Sequence, residues 1–122
     1  MIKLYGISNC DTVKKARNYL AQQGIDVEFH DFKKLGLDKD TARNWLTQQD
    51  WSVLINRKGL TWRNLEESVK QGVKDDSSAL ALMLDKTSAI KRPLLEKDGR
   101  LLYVGFDAAA YDEIFKRNIK HD

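Results

Sequence analysis

Cys10 is the only cysteine among 122 residues, and its neighbours give it a chemical setting. It follows the apolar run Ile2-Lys3-Leu4-Tyr5-Gly6-Ile7 and the break at Ser8-Asn9, where a helical pattern begins at Asp11. A sulfur at the first turn of a helix faces backbone N–H groups that lack partners inside the helix. These groups favour an anion, either a thiolate or a bound oxyanion. At an ordinary pKa near 8.5, roughly 3% of a thiol is ionised at pH 7, whereas a pKa of about 6.5 would ionise roughly three quarters. The helix dipole contributes about 0.3–1 kcal/mol, less than the ~1.4 kcal/mol that one pKa unit requires, so direct N–H bonds or a neighbouring cation must supply the remainder. The competing reading is an inert sulfur, because free cysteine is among the most buried residue types.

Composition removes several other chemistries. One cysteine cannot form an internal disulfide, which points to a reducing, cytoplasmic setting. The two histidines, His30 and His121, offer no spacing for a zinc or iron–sulfur site, so no metal is expected. His30 reads as the outward residue of a strand, and His121 falls in the C-terminal tail. Lysine and arginine number 21 against 18 acidic residues. This excess is mild and interspersed, as in Lys14-Lys15, Lys33-Lys34 and Lys39-Asp40, which argues against direct nucleic-acid binding. The N-terminal apolar run is short and carries Lys3, and no later segment is long and apolar enough to span a membrane.

The elements that must position Cys10 follow from periodicity. Residues 2–7 read as a buried strand, and Val13, Ala16 and Leu20 give a helix from Asp11 to about Gln23, stopped by Gly24. Ile25, Val27 and Phe29 then alternate with polar residues as in a half-buried strand, which completes a βαβ unit with parallel strands. Asp38 is placed to cap a helix carrying Ala42, Trp45 and Leu46, and Asp50 a short turn through Trp51, Val53 and Leu54. Arg57-Lys58-Gly59 forms a loop, Thr61 caps a helix with Leu65 and Val69, and Ser77 or Ser78 precedes a buried helix through Leu84. The three tryptophans, Trp45, Trp51 and Trp62, read as core rather than interface. Leu94–Lys97 and Arg100–Val104 flank Asp98-Gly99, a strong hairpin signal, and Asp107 caps a last helix with Tyr111, Ile114 and Phe115.

This order predicts an α/β (α+β) fold: a thioredoxin/glutaredoxin-like mixed sheet in a single domain over 1–122, with a helical insert over about 36–88. In such a fold Pro93 lies close to the cysteine loop, and the Arg92–Pro93 bond is expected to be cis rather than a trans strand-leading bond.

Three blocks carry a resemblance: Tyr5-Gly6-Ile7-Ser8-Asn9-Cys10-Asp11-Thr12-Val13-Lys14-Lys15-Ala16, Trp51-Ser52-Val53-Leu54-Ile55-Asn56-Arg57-Lys58-Gly59 and Ile90-Lys91-Arg92-Pro93-Leu94-Leu95. Together they resemble the ArsC-type arsenate reductase and Spx family, in particular its small YffB-type branch of glutathione-dependent thiol reductases. The resemblance implies that Cys10 is the nucleophile and that Arg57 and Arg92 grip an oxyanion or a glutathione carboxylate, a task suited to the planar guanidinium fork. It also frames the loop with Asn9, Asp11, Thr12 and Val13, beside Pro93. The departures narrow the chemistry. Val104 stands near the family's third arginine, Gly6 replaces a histidine, and Val13 occupies the second position of the Cys-x-x-Cys of Spx regulators. A single-thiol reductase with glutathione as cosubstrate is therefore the first expectation, acting on a disulfide or a small oxyanion and released by an external thiol. Arsenate reduction with glutathione and glutaredoxin is the second. A Spx-like regulator that docks on RNA polymerase is the third.

Overall fold

A computed structural model describes residues 1–118, so His121 lies outside the described residues. The chain divides into two compact units, one built from residues 1–31 together with the segment from Arg92 onward, the other continuous from Phe32 to Lys91.

In the first unit, β1 (Ile2–Gly6) leads through a turn into α1 (Asp11–Gln22), which returns to β2 (Glu28–Asp31). The second strand starts later than its apolar alternation suggests. Ile25 and Val27 pack on the core ahead of the strand, and ladder pairing begins only at Lys3↔Glu28. β1 and β2 are parallel. After the second unit the chain forms β3 (Leu94–Lys97), β4 (Arg100–Val104) and α8 (Ala108–Asn118). The sheet order is β2-β1-β3-β4, with β3 antiparallel to both neighbours.

The hairpin turns at Asp98 and Gly99, whose φ values of 50° and 83° match the left-handed pair of a type I′ turn. Leu4 and Leu95 are register partners and fully buried. Their face of the sheet meets Ala16 and Leu20 of α1 and Tyr111 and Phe115 of α8 in one core cluster. The alternate face carries Tyr5 and Leu94, both buried, and Glu96, whose carboxylate accepts from the Tyr5 hydroxyl at 3.4 Å.

The second unit is helical: α2 (Phe32–Leu35), α3 (Lys39–Gln48), α4 (Trp51–Leu54), α5 (Leu60–Arg63), α6 (Glu67–Gly72), α7 (Asp76–Asp85) and a 3₁₀ turn at Thr87–Ala89. Asp38 and Asp50 cap α3 and α4 through Thr41 N–H and Ser52 N–H. Trp45 is fully buried and meets Phe32 edge-on, whereas Trp51 and Trp62 are only partly buried.

Two expected caps are corrected. Thr61 lies inside α5, which Gly59 precedes, and its hydroxyl donates to Ser88 at 2.8 Å instead of capping; the helix expected there is two short ones. Asp75 caps α7, while Ser78 returns the bond from the first turn as the second half of a capping box. One antiparallel bridge, Ile55↔Ile90, ties the residue after α4 to the end of this unit. Among the described residues no helix is long and apolar enough to cross a membrane.

Candidate active site

Cys10 sits at the end of a tight turn. Its N–H donates to Ile7 O at 3.2 Å, and its own carbonyl accepts from Lys14 N–H at 2.9 Å as the first bond of α1. Cys10 is therefore the N-cap residue itself, with extended backbone (φ −95°, ψ 126°). Ser8 and Asn9 project from the turn and are exposed, and Asp11 and Thr12 open the helix, also exposed. The sulfur is partly buried.

No conventional side-chain capping bond is formed. The groups around the sulfur nonetheless favour its ionised form. Burial is the largest single influence and pushes the thiol pKa up. The Val13 N–H, a hydrogen bond from the Arg92 side chain, the Arg92 charge and the Thr12 N–H together outweigh it, and the net pKa is lowered. Thr12 and Val13 are the second and third residues of α1, whose N–H groups have no acceptor within the helix.

Gly6 explains how Val13 reaches this place. A Cβ on Gly6 would lie 2.8 Å from Val13 Cγ2, so the end of β1 and the first turn of α1 close on each other only over a glycine. The same contact leaves no space for the histidine that the family resemblance would put there.

Arg92 is half-buried and precedes Pro93 through a cis peptide bond. Pro93 is fully buried, and its carbonyl accepts from Gly105 N–H at 2.7 Å, which closes the start of β3 on the end of β4. Val104, opposite Leu94 in that pair of strands, is a partly buried aliphatic residue that offers no charge to an anion.

The first unit thus contains Cys10, Asn9, Asp11, Thr12, Val13, Arg92 and Pro93. Of these, Thr12, Val13 and Arg92 act directly on the sulfur. Arg57 belongs to the second unit, in the turn after α4. It is exposed, and its guanidinium stands 5.8 Å from the centroid of the Trp51 ring. Asp50, which feels the Arg57 charge, is held below the usual carboxylate range mainly by the Ser52 hydroxyl and N–H and less by Arg57.

Sequence reasoning missed the Trp51 contact and two lysines that share a recess with Arg57, Lys58 and Lys91. Adjacency was the available signal, since each lysine neighbours one of the two arginines. Among the described residues no three His, Cys, Asp or Glu side chains converge on a metal position.

Comparisons with known proteins matched most of the chain. The model of the ArsC family matches residues 5–114. An uncharacterized protein of Haemophilus influenzae is 43% identical over 115 residues, covering 94% of this chain and 99% of that protein. The solved structure of the YFFB protein is 42% identical, with a TM-score of 0.87, and the match covers 93% of this chain and 98% of that one. An arsenate reductase (ArsC) related protein from Brucella melitensis is 50% identical, with a TM-score of 0.74 and 94% of each chain covered.

Proposed function

The chain belongs to the ArsC family, and from that premise we propose that it is a single-thiol reductase in which Cys10 is the nucleophile and glutathione the cosubstrate. The observation that carries this reading is the lowered Cys10 pKa, set by the Val13 and Thr12 N–H groups and Arg92 against the opposing effect of burial. A thiolate nucleophile needs no general base, and no histidine is invoked.

In the proposed reaction the Cys10 thiolate attacks one sulfur of a disulfide or a glutathione mixed disulfide. A bond forms from Cys10 to that sulfur, and the other sulfur leaves as a thiolate with the electron pair of the broken bond. A glutathione thiolate then attacks the new mixed disulfide and expels Cys10 as a thiolate. The two electrons come from the external thiols, as they must in a chain with one cysteine. Asn9, Asp11, Thr12 and Val13 frame the loop, and Pro93 orders the segment that presents Arg92. Arg92 and Arg57 are assigned to anionic groups of the substrate or glutathione, where the guanidinium fork gives paired bonds. A cytoplasmic location, where glutathione is abundant and reduced, fits this chemistry.

Glutathione-dependent reduction of a mixed disulfide by the wild type and Cys10→Ser tests the reading. Loss of activity in Cys10→Ser is expected, and unchanged activity would end it. Arsenate reduction with glutathione and glutaredoxin is the second reading, supported by the 50% identity to the arsenate reductase related protein of Brucella. Arsenate turnover by the same preparation separates the two.

A further inference from the structure

One exposed face of α1 begins at Cys10. The Cys10 carbonyl accepts the first bond of the helix, from Lys14 N–H at 2.9 Å, so the helical period counts from the nucleophile. At about 3.6 residues per turn, Lys14, Arg17 and Ala21 fall within about 40° of the Cys10 position, with Asn18 flanking them. The buried stripe of Val13, Ala16 and Leu20 occupies another side. Lys14, Arg17, Asn18 and Ala21 are all exposed and line a recess of about 350 Å³, with the small Ala21 side chain at its far end.

The charge on this face has no partner within the protein. Lys14 and Arg17 make no ion pair among the described residues, and Asp11, the only carboxylate of α1, pairs with neither. Lys15 stands beside the stripe as a further exposed cation. The Arg17 guanidinium rests over the Phe29 ring, 4.2 Å from its centroid. Stacking uses the flat of the guanidinium and leaves its edge of N–H donors for an acceptor. Like charges on one face select a partner of opposite sign and steer its approach. Here the face leads to a sulfur, so the partner it orients is the one that reacts.

We propose that this face docks the substrate itself: an extended protein segment that brings its disulfide sulfur to Cys10 and its Asp or Glu side chains to Lys14 and Arg17. The proposal rests on the thiol reading, in which Cys10 is the nucleophile, and names the substrate class. The register follows from two rises. A helix advances about 1.5 Å per residue, so Lys14 and Arg17 stand about 6 and 10 Å beyond Cys10 along the axis. An extended segment advances about 3.3 Å per residue, which brings the second and third residues beyond the substrate cysteine level with those two cations. The favoured segment is therefore Cys-x-(Asp/Glu)-(Asp/Glu), read in the direction that runs along α1.

Two peptides of one sequence test this, one with Asp and Glu at the second and third positions beyond its cysteine and one with Asn and Gln there. Each is offered as its mixed disulfide with glutathione. The wild type should reduce the acidic peptide with a kcat/KM about tenfold higher at low ionic strength, chiefly through KM, and the preference should fade at about 1 M salt. Lys14→Gln and Arg17→Gln should each cut the preference about threefold, and the double variant Lys14→Glu, Arg17→Glu should prefer the Asn/Gln peptide. Both side chains are exposed, and the amide spectrum of each variant reports its fold. Binding is read apart from thiol chemistry by titrating the wild-type chain with the acidic peptide carrying Ser in place of its cysteine; amide shifts should follow Lys14, Arg17, Asn18 and Ala21. No preference between the peptides, a preference untouched by both substitutions, or equal shifts with glutathione alone would overturn the proposal. Reduction of neither peptide would end the thiol reading, and the shifts along α1 would still decide the docking face.

Discussion

At the scale of single residues, the sulfur, two amides and one guanidinium define the chemistry. Arg92→Gln should raise the Cys10 pKa, because it removes both the hydrogen bond and the charge that favour the thiolate while the burial that disfavours it stays. Alkylation rate against pH would show the midpoint moving up towards the ordinary thiol value. The same shift has a sign in stability. A group whose folded pKa is lowered contributes stability that is present above its unfolded pKa and lost as pH falls through its folded pKa. Cys10→Ser should therefore flatten the rise in stability between those two values, as read by urea midpoints over that range. Gly6→Ala sets a Cβ against the stiff, β-branched Val13 and should cost about 1–3 kcal/mol in chemical denaturation, with reduced thiol reactivity because the Val13 amide is displaced. The sequence displayed Cys10 and its amides because an N-cap is local. It displayed Arg92 only through family resemblance, because that contact joins residues on opposite sides of the helical unit.

Elements were legible where a cap and a buried stripe coincide. Asp38, Asp50 and Asp107 each stand before a helix that buries apolar residues, and each side chain accepts from an N–H of the first turn. The segment 60–72 was misread because α5 and α6 bury no residue, so no packing fixes their phase and Thr61 was free to satisfy Ser88. Asp75 was missed in favour of the serines behind it. Asp, Ser and Thr all cap, and only the reciprocal bond from Ser78 decides which is outermost. Asp75→Ala should destabilise the chain by about 1 kcal/mol, visible as a lower denaturation midpoint, while leaving the Cys10 alkylation profile unchanged. The cationic recess was illegible for a different reason. Its lysines converge through the Ile55↔Ile90 bridge, a pairing that neither segment's local pattern announces.

For the whole molecule, the first unit is assembled from both arms of the chain and the second from the stretch between them. Truncation after Lys91 would leave β1 with only β2 as a neighbour, and a two-stranded sheet is marginal in water. Loss of cooperative unfolding in that fragment, followed by circular dichroism, is the expected result. On the core face the Tyr19 hydroxyl of α1 donates to Asp112 of α8. Burial first, then Asp112, pushes the Tyr19 pKa up to about 12. A phenol whose folded pKa is raised stabilises below its unfolded value and loses that contribution as pH rises through the folded one. Tyr19→Phe should therefore soften alkaline unfolding between about pH 10 and 12. The central position of β1 also has a consequence in time. Its antiparallel partner β3 and the guanidinium beside the sulfur are made long after Cys10 leaves the ribosome. Through most of its synthesis the nascent chain therefore carries an ordinary thiol, and the nucleophile comes into being when the last quarter of the polypeptide arrives.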